Sequence, residues 1–181
     1  MSPEFWLRGP VDGVSSWLMP VAHALLQSRQ DLHEAAEALT ADQLWDRPGG
    51  AASIGFHLRH ISGSVDRLFT YARGESVRDD QLITLRREGN PCSPAATARE
   101  LLALVDMTLA DAVNSLKAVS EDQLLAARAV GRAQLPSNVL GLLFHAAEHA
   151  QRHTGQVITT SKIIRGLGRE LATGSAHASA S

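Results

Sequence analysis

Apolar residues recur with a helical period along most of this chain. Near the start, four leucines are spaced by seven residues: Leu18, Leu25, Leu32 and Leu39. This spacing places them on one face of a single helix. The pattern predicts a first helix over about residues 14–39, with Pro20 in its first turn or at a kink. Residues 41–50, which contain a proline and two glycines, end it.

Three later segments show the same periodicity. The second predicted helix covers about residues 53–73, with Ser53 as its N-cap. The third begins with Ser93 as N-cap and Pro94 at its first position. The fourth runs from a Ser137 cap to about Ile164. Four long helices with few strand signals predict an all-α fold.

The connections between these helices differ in length. Residues 75–93 carry three arginines and four acidic residues and are predicted to form a long exposed connection, with room for a short helical piece. Residues 40–44 and 120–124 resemble each other, and each precedes a proline and then a histidine-bearing helix. The similarity indicates a two-fold repeat of helical hairpins, with chance as the alternative. We therefore predict a four-helix bundle, antiparallel or up-down-down-up, with a long loop between helices two and three.

The bundle is expected to occupy residues 1–164, and the small, polar residues 165–181 are expected to form a disordered tail. Apolar residues make up 44% of the 181 residues, which suits a globular domain, and the net charge of −2 gives no attraction to nucleic acid. The most apolar segment, residues 139–144, is too short to cross a bilayer. The N-terminal residues do not form a signal peptide, and Cys92 has no cysteine partner. We expect a cytoplasmic protein that binds neither nucleic acid nor membrane.

Five of the eight histidines fall in two clusters on predicted helices. The second helix carries His57 and His60, and the fourth carries His145, His149 and His153. Residues four apart share a helix face, so two such imidazoles can bind one ion at about 2.0–2.1 Å. Three in a row cannot all do so, because the outer two are about 12 Å apart along the axis. One adjacent pair therefore chelates an ion, and a third ligand comes from the second helix.

This pattern indicates a metal site with open coordination positions, since no cysteine completes a closed set of four ligands. The alternative is that the histidines are hydrogen-bonded core residues and that the protein holds no metal. The sequence spacing alone does not choose between the pairs His145 with His149 and His149 with His153.

Three segments resemble motifs of the DinB/YfiT-like superfamily. Residues 148–157 are similar to its closing motif, in which two histidines four apart precede a Gly-Gln pair. Residues 53–61 resemble its helix-two motif, a histidine followed by an aliphatic residue, and residues 45–50 resemble the loop before that helix. The resemblance spans about residues 14–164 and implies that the metal ligands are His60, His149 and His153. It leaves His57 and His145 as flanking residues that orient ligands, contact substrate or carry protons, or are merely packed.

The resemblance also implies a function. Relatives of this fold include thiol-dependent S-transferases and hydrolases, so we expect a metal-dependent enzyme that acts on a small-molecule substrate. The expected cofactors are a divalent transition metal (Zn, Ni or Fe) and a low-molecular-weight thiol, and the expected assembly is a homodimer. The alternative is a metal-binding or stress-response module without enzymatic activity.

Overall fold

Long helices contain the apolar stripes that the sequence predicts. We analysed a computed structural model that describes residues 3–178, with side chains as far as residue 167. Its helices are α1 (Met19–Ala36), α2 (Ala41–Trp45), α3 (Ile54–Ala72), α4 (Asp79–Arg87), α5 (Ala98–Leu116) and α6 (Val139–Ala178). A two-stranded antiparallel sheet, β1 (Ala127–Val130) and β2 (Leu135–Asn138), precedes α6. The predicted all-α class is confirmed in this coarse form.

The core lies between the four long helices. Helix α6 packs against α1 and α3, and α5 packs against the same two helices. The four leucines spaced by seven residues are all buried in this core: Leu18, Leu25, Leu32 and Leu39. The side chains of Gln151 and Ser161 on α6 donate hydrogen bonds to the carbonyl oxygens of Ala24 and Ala35, both at 2.7 Å. Because the residue numbers rise together, α1 and α6 run in the same direction.

The helix starts follow local capping chemistry. Ser53 caps α3 as predicted, since its Oγ accepts a hydrogen bond from the Phe56 amide at 3.2 Å. The predicted Ser93 cap of the third long helix is wrong, because α5 begins after Thr97. Thr97 and Glu100 form a capping box, in which each side chain accepts from the other residue's backbone amide. Helix α6 likewise begins after Asn138, whose Oδ1 accepts from the Gly141 amide at 2.7 Å, and not after Ser137.

The sheet lies between α5 and α6, in a segment where no secondary structure was predicted. Its strands have four residues each, and the first alternates between exposed and half-buried positions. The turn uses Gly131 in a left-handed conformation with φ of +68°. Strands this short, one of them containing Pro136, give little periodic signal. The hairpin leads directly into α6 and so fixes where that helix begins.

Helix α6 is longer than predicted. It continues to Ala178, so the end expected near residue 164 is wrong. Gly166 lies within the helix and does not end it. The predicted tail includes residues 179–181, which lie outside the described residues, and the domain boundary at residue 164 stays a prediction. Across residues 3–178, none of the helices combines the length and the apolar character needed to cross a membrane.

Candidate metal centre

Three histidines converge where α3 packs against α6. The ring nitrogens of His60, His149 and His153 that face one another all lie within 4.8 Å of each other. Nε2 of His60 is 2.9 Å from Nε2 of His149. The His153 ring centroid is 4.5 Å from the centroids of both other rings. The structure therefore brings together the three residues that the resemblance singled out, and their role as ligands stays a prediction.

The register between α3 and α6 produces this cluster. His60 contacts His149, while His57, one turn earlier on α3, contacts His153, one turn later on α6. The residue numbers rise on one helix as they fall on the other, so the two helices run in opposite directions. This register therefore forms two histidine pairs between the helices, His60 with His149 and His57 with His153.

A buried carboxylate fixes the orientation of the His60 ring. Nδ1 of His60 lies 2.7 Å from Oε2 of Glu88, which is only 3% exposed. The other carboxylate oxygen of Glu88 accepts a hydrogen bond from Nη1 of Arg67 at 3.1 Å. An ionised carboxylate only accepts hydrogen bonds, so Nδ1 of His60 carries the proton. Nε2 of a neutral His60 then presents a lone pair toward His149, as a metal ligand must.

Glu88 was not among the predicted site residues. It directly follows α4, in the segment that was predicted to be an exposed connection. Its nearest sequence signal is Gln81, seven residues earlier on the same helical face and also 3% exposed. Both residues are polar, so a search for apolar periodicity does not find this buried face.

The two flanking histidines have different surroundings. His57 is 5% exposed, and its Nδ1 lies 2.9 Å from Nδ1 of His153. The side chain of His145 is 51% exposed, and its Nδ1 lies 3.4 Å from a carboxylate oxygen of Glu148. The His145 ring centroid is 5.5 Å from that of His149. His57 is therefore part of the buried cluster, whereas His145 lies at its solvent-facing edge.

Burial and neighbouring imidazoles favour the neutral state of His57, His149 and His153. Burial, and then the proximity of His153 and His60, lowers the pKa of His57 to about 4. Burial, followed by the same two neighbours, also lowers the pKa of His149 to about 4. The pKa of His153 is lowered, mainly by burial and then by His60. Neutral imidazoles are the form that binds a metal ion, so the cluster suits a cation at neutral pH.

One buried nitrogen supports this interpretation. Within residues 3–167, Nδ1 of His149 is buried without a hydrogen-bond partner. An unmade hydrogen bond of this kind costs about 1–3 kcal/mol. Because nothing bonds to Nδ1, no partner there opposes the tautomer in which Nδ1 carries the proton and Nε2 presents a lone pair to an ion. The donor set and its electrostatics therefore fit a divalent transition metal.

Aromatic packing supports the first turn of α3. The Phe56 ring stacks on His60, with centroids 5.2 Å apart and ring planes 14° from parallel. Gly55 lies against the Trp45 ring, where an added Cβ would come within 2.8 Å of the ring atoms. Trp45 in turn donates a hydrogen bond from Nε1 to the Ala96 carbonyl at 2.9 Å. The small residue at position 55 therefore allows α2 to brace the helix that carries His60.

Comparisons with known proteins agree with this architecture. Residues 24–157 match the DinB superfamily. One solved structure with the same fold is described as the crystal structure of the conserved protein of a locus from Enterococcus faecalis. The two chains are 17% identical with a TM-score of 0.60, and the match covers 82% of this chain and 97% of that chain. At this identity the likeness concerns the fold alone, and no curated protein sequence matches the chain.

Proposed function

Because the chain belongs to the DinB superfamily, we propose that it binds one divalent transition-metal ion through His60, His149 and His153. The observation that carries the proposal is the convergence of the three ligand nitrogens within 4.8 Å of one another. Two nitrogens that bind one ion at about 2.1 Å each lie at most about 4.2 Å apart. The 2.9 Å separation between His60 and His149 falls inside this limit, and the 4.8 Å bound on the set of three exceeds it by an amount that a small side-chain movement would close. Imidazole ligands suit Zn, Ni and Fe.

We extend the proposal to catalysis, because three protein ligands leave coordination positions open. A divalent ion bound in this way polarises a carbonyl group or lowers the pKa of a bound water or thiol. The proposed enzyme is a transferase that uses a low-molecular-weight thiol, or a hydrolase, acting on a small-molecule substrate. We propose that His145 contacts the substrate, which its half-exposed position at the edge of the cluster supports. We propose that His57 orients the His153 ring, which the 2.9 Å distance between their Nδ1 atoms supports.

The proposal is tested by elemental analysis of protein produced without a histidine tag, because a tag would itself collect metal. About one metal ion per chain supports the metal centre, and metal-free protein contradicts it. Turnover of thiols and electrophiles by the metal-loaded protein then separates an enzyme from a metal-binding module without activity. Loss of turnover with the metal, and its return on reloading, would support catalysis.

We also propose that the chain forms a homodimer. Exposed apolar side chains on α6 support this: Phe144 is 60% exposed, and Ile163 and Leu167 are each 47% exposed. Burying such residues against a second copy would remove apolar surface from water. Sedimentation velocity at micromolar concentration tests it, and a single monomeric species would contradict the proposal.

We further propose that the four long helices form an up-down-down-up bundle. The shared direction of α1 and α6, and the opposite direction of α3 relative to α6, support this arrangement. The side chain of Lys117, at the end of α5, lies 3.3 Å from the Cβ position of Gly13, ahead of α1. Helix α5 therefore ends near the start of α1, as the proposed topology requires.

A further inference from the structure

We propose that Glu88 is a positioning residue of the metal centre. Arg67 holds its carboxylate in place by a hydrogen bond, and Gly63 leaves the space that this ion pair needs. The inference rests on the proposed metal site, since it concerns the protein groups that set the His60 ligand. Nothing in the metal-ligand pattern of the sequence includes these three residues. They come from α3 and from the residue that follows α4.

The first observation is the chain of contacts that ends on the ligand. Arg67 donates to one oxygen of Glu88, and the other oxygen lies 2.7 Å from Nδ1 of His60. Arg67 and Glu88 are 12% and 3% exposed, so this ion pair is largely shielded from water. A carboxylate with one oxygen occupied by a guanidinium presents the other to His60 in a fixed direction. The ring of His60 is thereby fixed with Nε2 toward His149.

The second observation is the space that Gly63 leaves. A Cβ at position 63 would lie 2.6 Å from Oε1 of Glu88 and 2.7 Å from Nη1 of Arg67. Both atoms are at the ends of flexible side chains, so they would move aside while the helix keeps its course. Gly63 lies within α3, where alanine is the better helix former. The Arg67–Glu88 ion pair, which lies directly against residue 63, explains why glycine occupies this helical position.

The third observation is that the segment carrying Glu88 is bound to α3 on both sides of that residue. Before it, Nε2 of Gln81 donates to the side chains of Asp66 and Thr70, at 2.8 and 2.9 Å. Nη1 of Arg59 donates to the carbonyl oxygens of Arg87, immediately before Glu88, and of Asn90, two residues after it. Helix α4 therefore delivers Glu88 to His60 from a position fixed at several points.

The chemical consequence concerns the tautomer of His60. In Glu88→Gln, the amide oxygen would accept from Arg67 and the NH₂ group would face His60. An NH₂ group donates, so Nδ1 would become the acceptor and the proton would move to Nε2. Protonated Nε2 cannot ligate a metal ion. Loss of an outer partner of this kind typically weakens metal binding by about 10–100-fold.

The experiment compares Glu88→Gln with the wild type and with Glu75→Gln, an exposed carboxylate as control. Nitrogen-15 NMR of the metal-free protein reports which nitrogen of His60 carries the proton, and competition with a chromophoric chelator reports Zn²⁺ affinity. We expect the Nδ1-protonated tautomer in the wild type and in Glu75→Gln. In Glu88→Gln we expect the Nε2-protonated tautomer and about 10–100-fold weaker Zn²⁺ binding. Circular dichroism confirms that each variant is helical.

A wild-type tautomer or wild-type Zn²⁺ affinity in folded Glu88→Gln would overturn the inference. If the wild type binds no Zn²⁺, the proposed metal site fails, while the tautomer comparison still judges the role of Glu88. If Glu88→Gln does not fold, Gly63→Ala decides, because it displaces the ion pair and keeps the carboxylate. We expect it to weaken Zn²⁺ binding relative to Gly166→Ala, whose added methyl group meets no atom within 4 Å. Equal Zn²⁺ affinity in the two alanine variants would contradict the inference.

Discussion

At the scale of single residues, the charge state of the histidines determines what the cluster can do. Burial lowers the pKa of His57 and of His149 to about 4, and nearby imidazoles add to the effect. These rings therefore stay neutral in the folded protein at a pH where a free histidine is already partly protonated. Their lone pairs remain available to an ion, and their protonation opposes folding.

The first prediction is that the metal-free protein loses stability in mild acid. Between the ordinary histidine pKa of about 6.5 and the lowered value of about 4, the unfolded chain binds protons that the folded chain does not. These histidines should therefore have no effect on the pH dependence of the unfolding free energy above about pH 7.5. Below that pH, the unfolding free energy should fall as the pH drops toward 4. Urea denaturation at a series of pH values measures it.

In His57→Gln the proton uptake on unfolding should decrease by about one proton in this pH range. Ser93→Ala, which removes no ionisable group, is the control, and its pH profile should follow the wild type. An identical slope in wild type and His57→Gln would show that burial of His57 does not set the acid sensitivity.

At the scale of elements, the capping residues determine where the long helices begin. The Oγ1 atom of Thr97 accepts from the Glu100 amide at 3.3 Å, and the Glu100 carboxylate accepts from the Thr97 amide at 2.8 Å. The Glu100 carboxylate also accepts from the Thr97 hydroxyl at 2.8 Å, and the two bonds that it accepts from Thr97 lower the pKa of Glu100. Ser93, four residues earlier, is exposed and lies outside the helix.

The second prediction follows from this difference. Thr97→Ala should reduce the free energy of unfolding by about 1 kcal/mol, because it removes the N-cap of α5. Ser93→Ala should change it by less than about 0.5 kcal/mol, as expected for an exposed residue without such a role. Chemical denaturation of the two variants measures both values, and equal effects would place the start of the helix elsewhere.

The third prediction concerns the apolar stripe of α1. Leu25 is fully buried, so Leu25→Ala should cost about 2–5 kcal/mol of unfolding free energy. Leu125→Ala, at a side chain that is 75% exposed, should cost less than about 0.5 kcal/mol. The comparison is made by urea denaturation at neutral pH. If Leu25→Ala lowered the unfolding free energy by no more than Leu125→Ala, this stripe would not provide the stability of the fold.

The sequence predicts these elements to different degrees. Seven-residue spacing and Ser53 identified two long helices, because apolar periodicity and capping are local properties. The cap of the third long helix was predicted four residues too early, at Ser93, whereas Thr97 and Glu100 form the capping box. Helix α4 was predicted only as room for a short helical piece, and Glu88 was not predicted, because their buried face is polar and depends on partners such as Arg67 on α3. The sequence identified which histidines form the cluster. Which of them contact one another depends on the register of α3 against α6, which the sequence does not give.

At the scale of the whole molecule, the candidate metal centre joins parts that are distant in sequence. Helices α3 and α6 contribute the histidines, and the end of α4 contributes Glu88. Most of the buried apolar residues lie elsewhere in the core, so folding does not depend on an ion. Binding of an ion to the folded state alone adds stability in proportion to its affinity and concentration.

The fourth prediction is that zinc raises the melting temperature of the wild type without creating its helices. At a free zinc concentration 100 times the dissociation constant, the added stability should be about 2.7 kcal/mol. Circular dichroism should show the same helical content with and without a chelator. His149→Ala should show no zinc-dependent rise in melting temperature, and a chelator that unfolds the wild type would contradict the prediction.

The most direct test of the three-histidine centre is metal content per chain in five alanine variants, with helicity confirmed by circular dichroism. His60→Ala, His149→Ala and His153→Ala should each lose stable binding, because two remaining imidazoles are too few to hold a divalent ion against water. His57→Ala and His145→Ala should keep about one ion per chain. Loss of metal in His145→Ala with retention in His153→Ala would contradict the account and move the chelating pair by one helical turn.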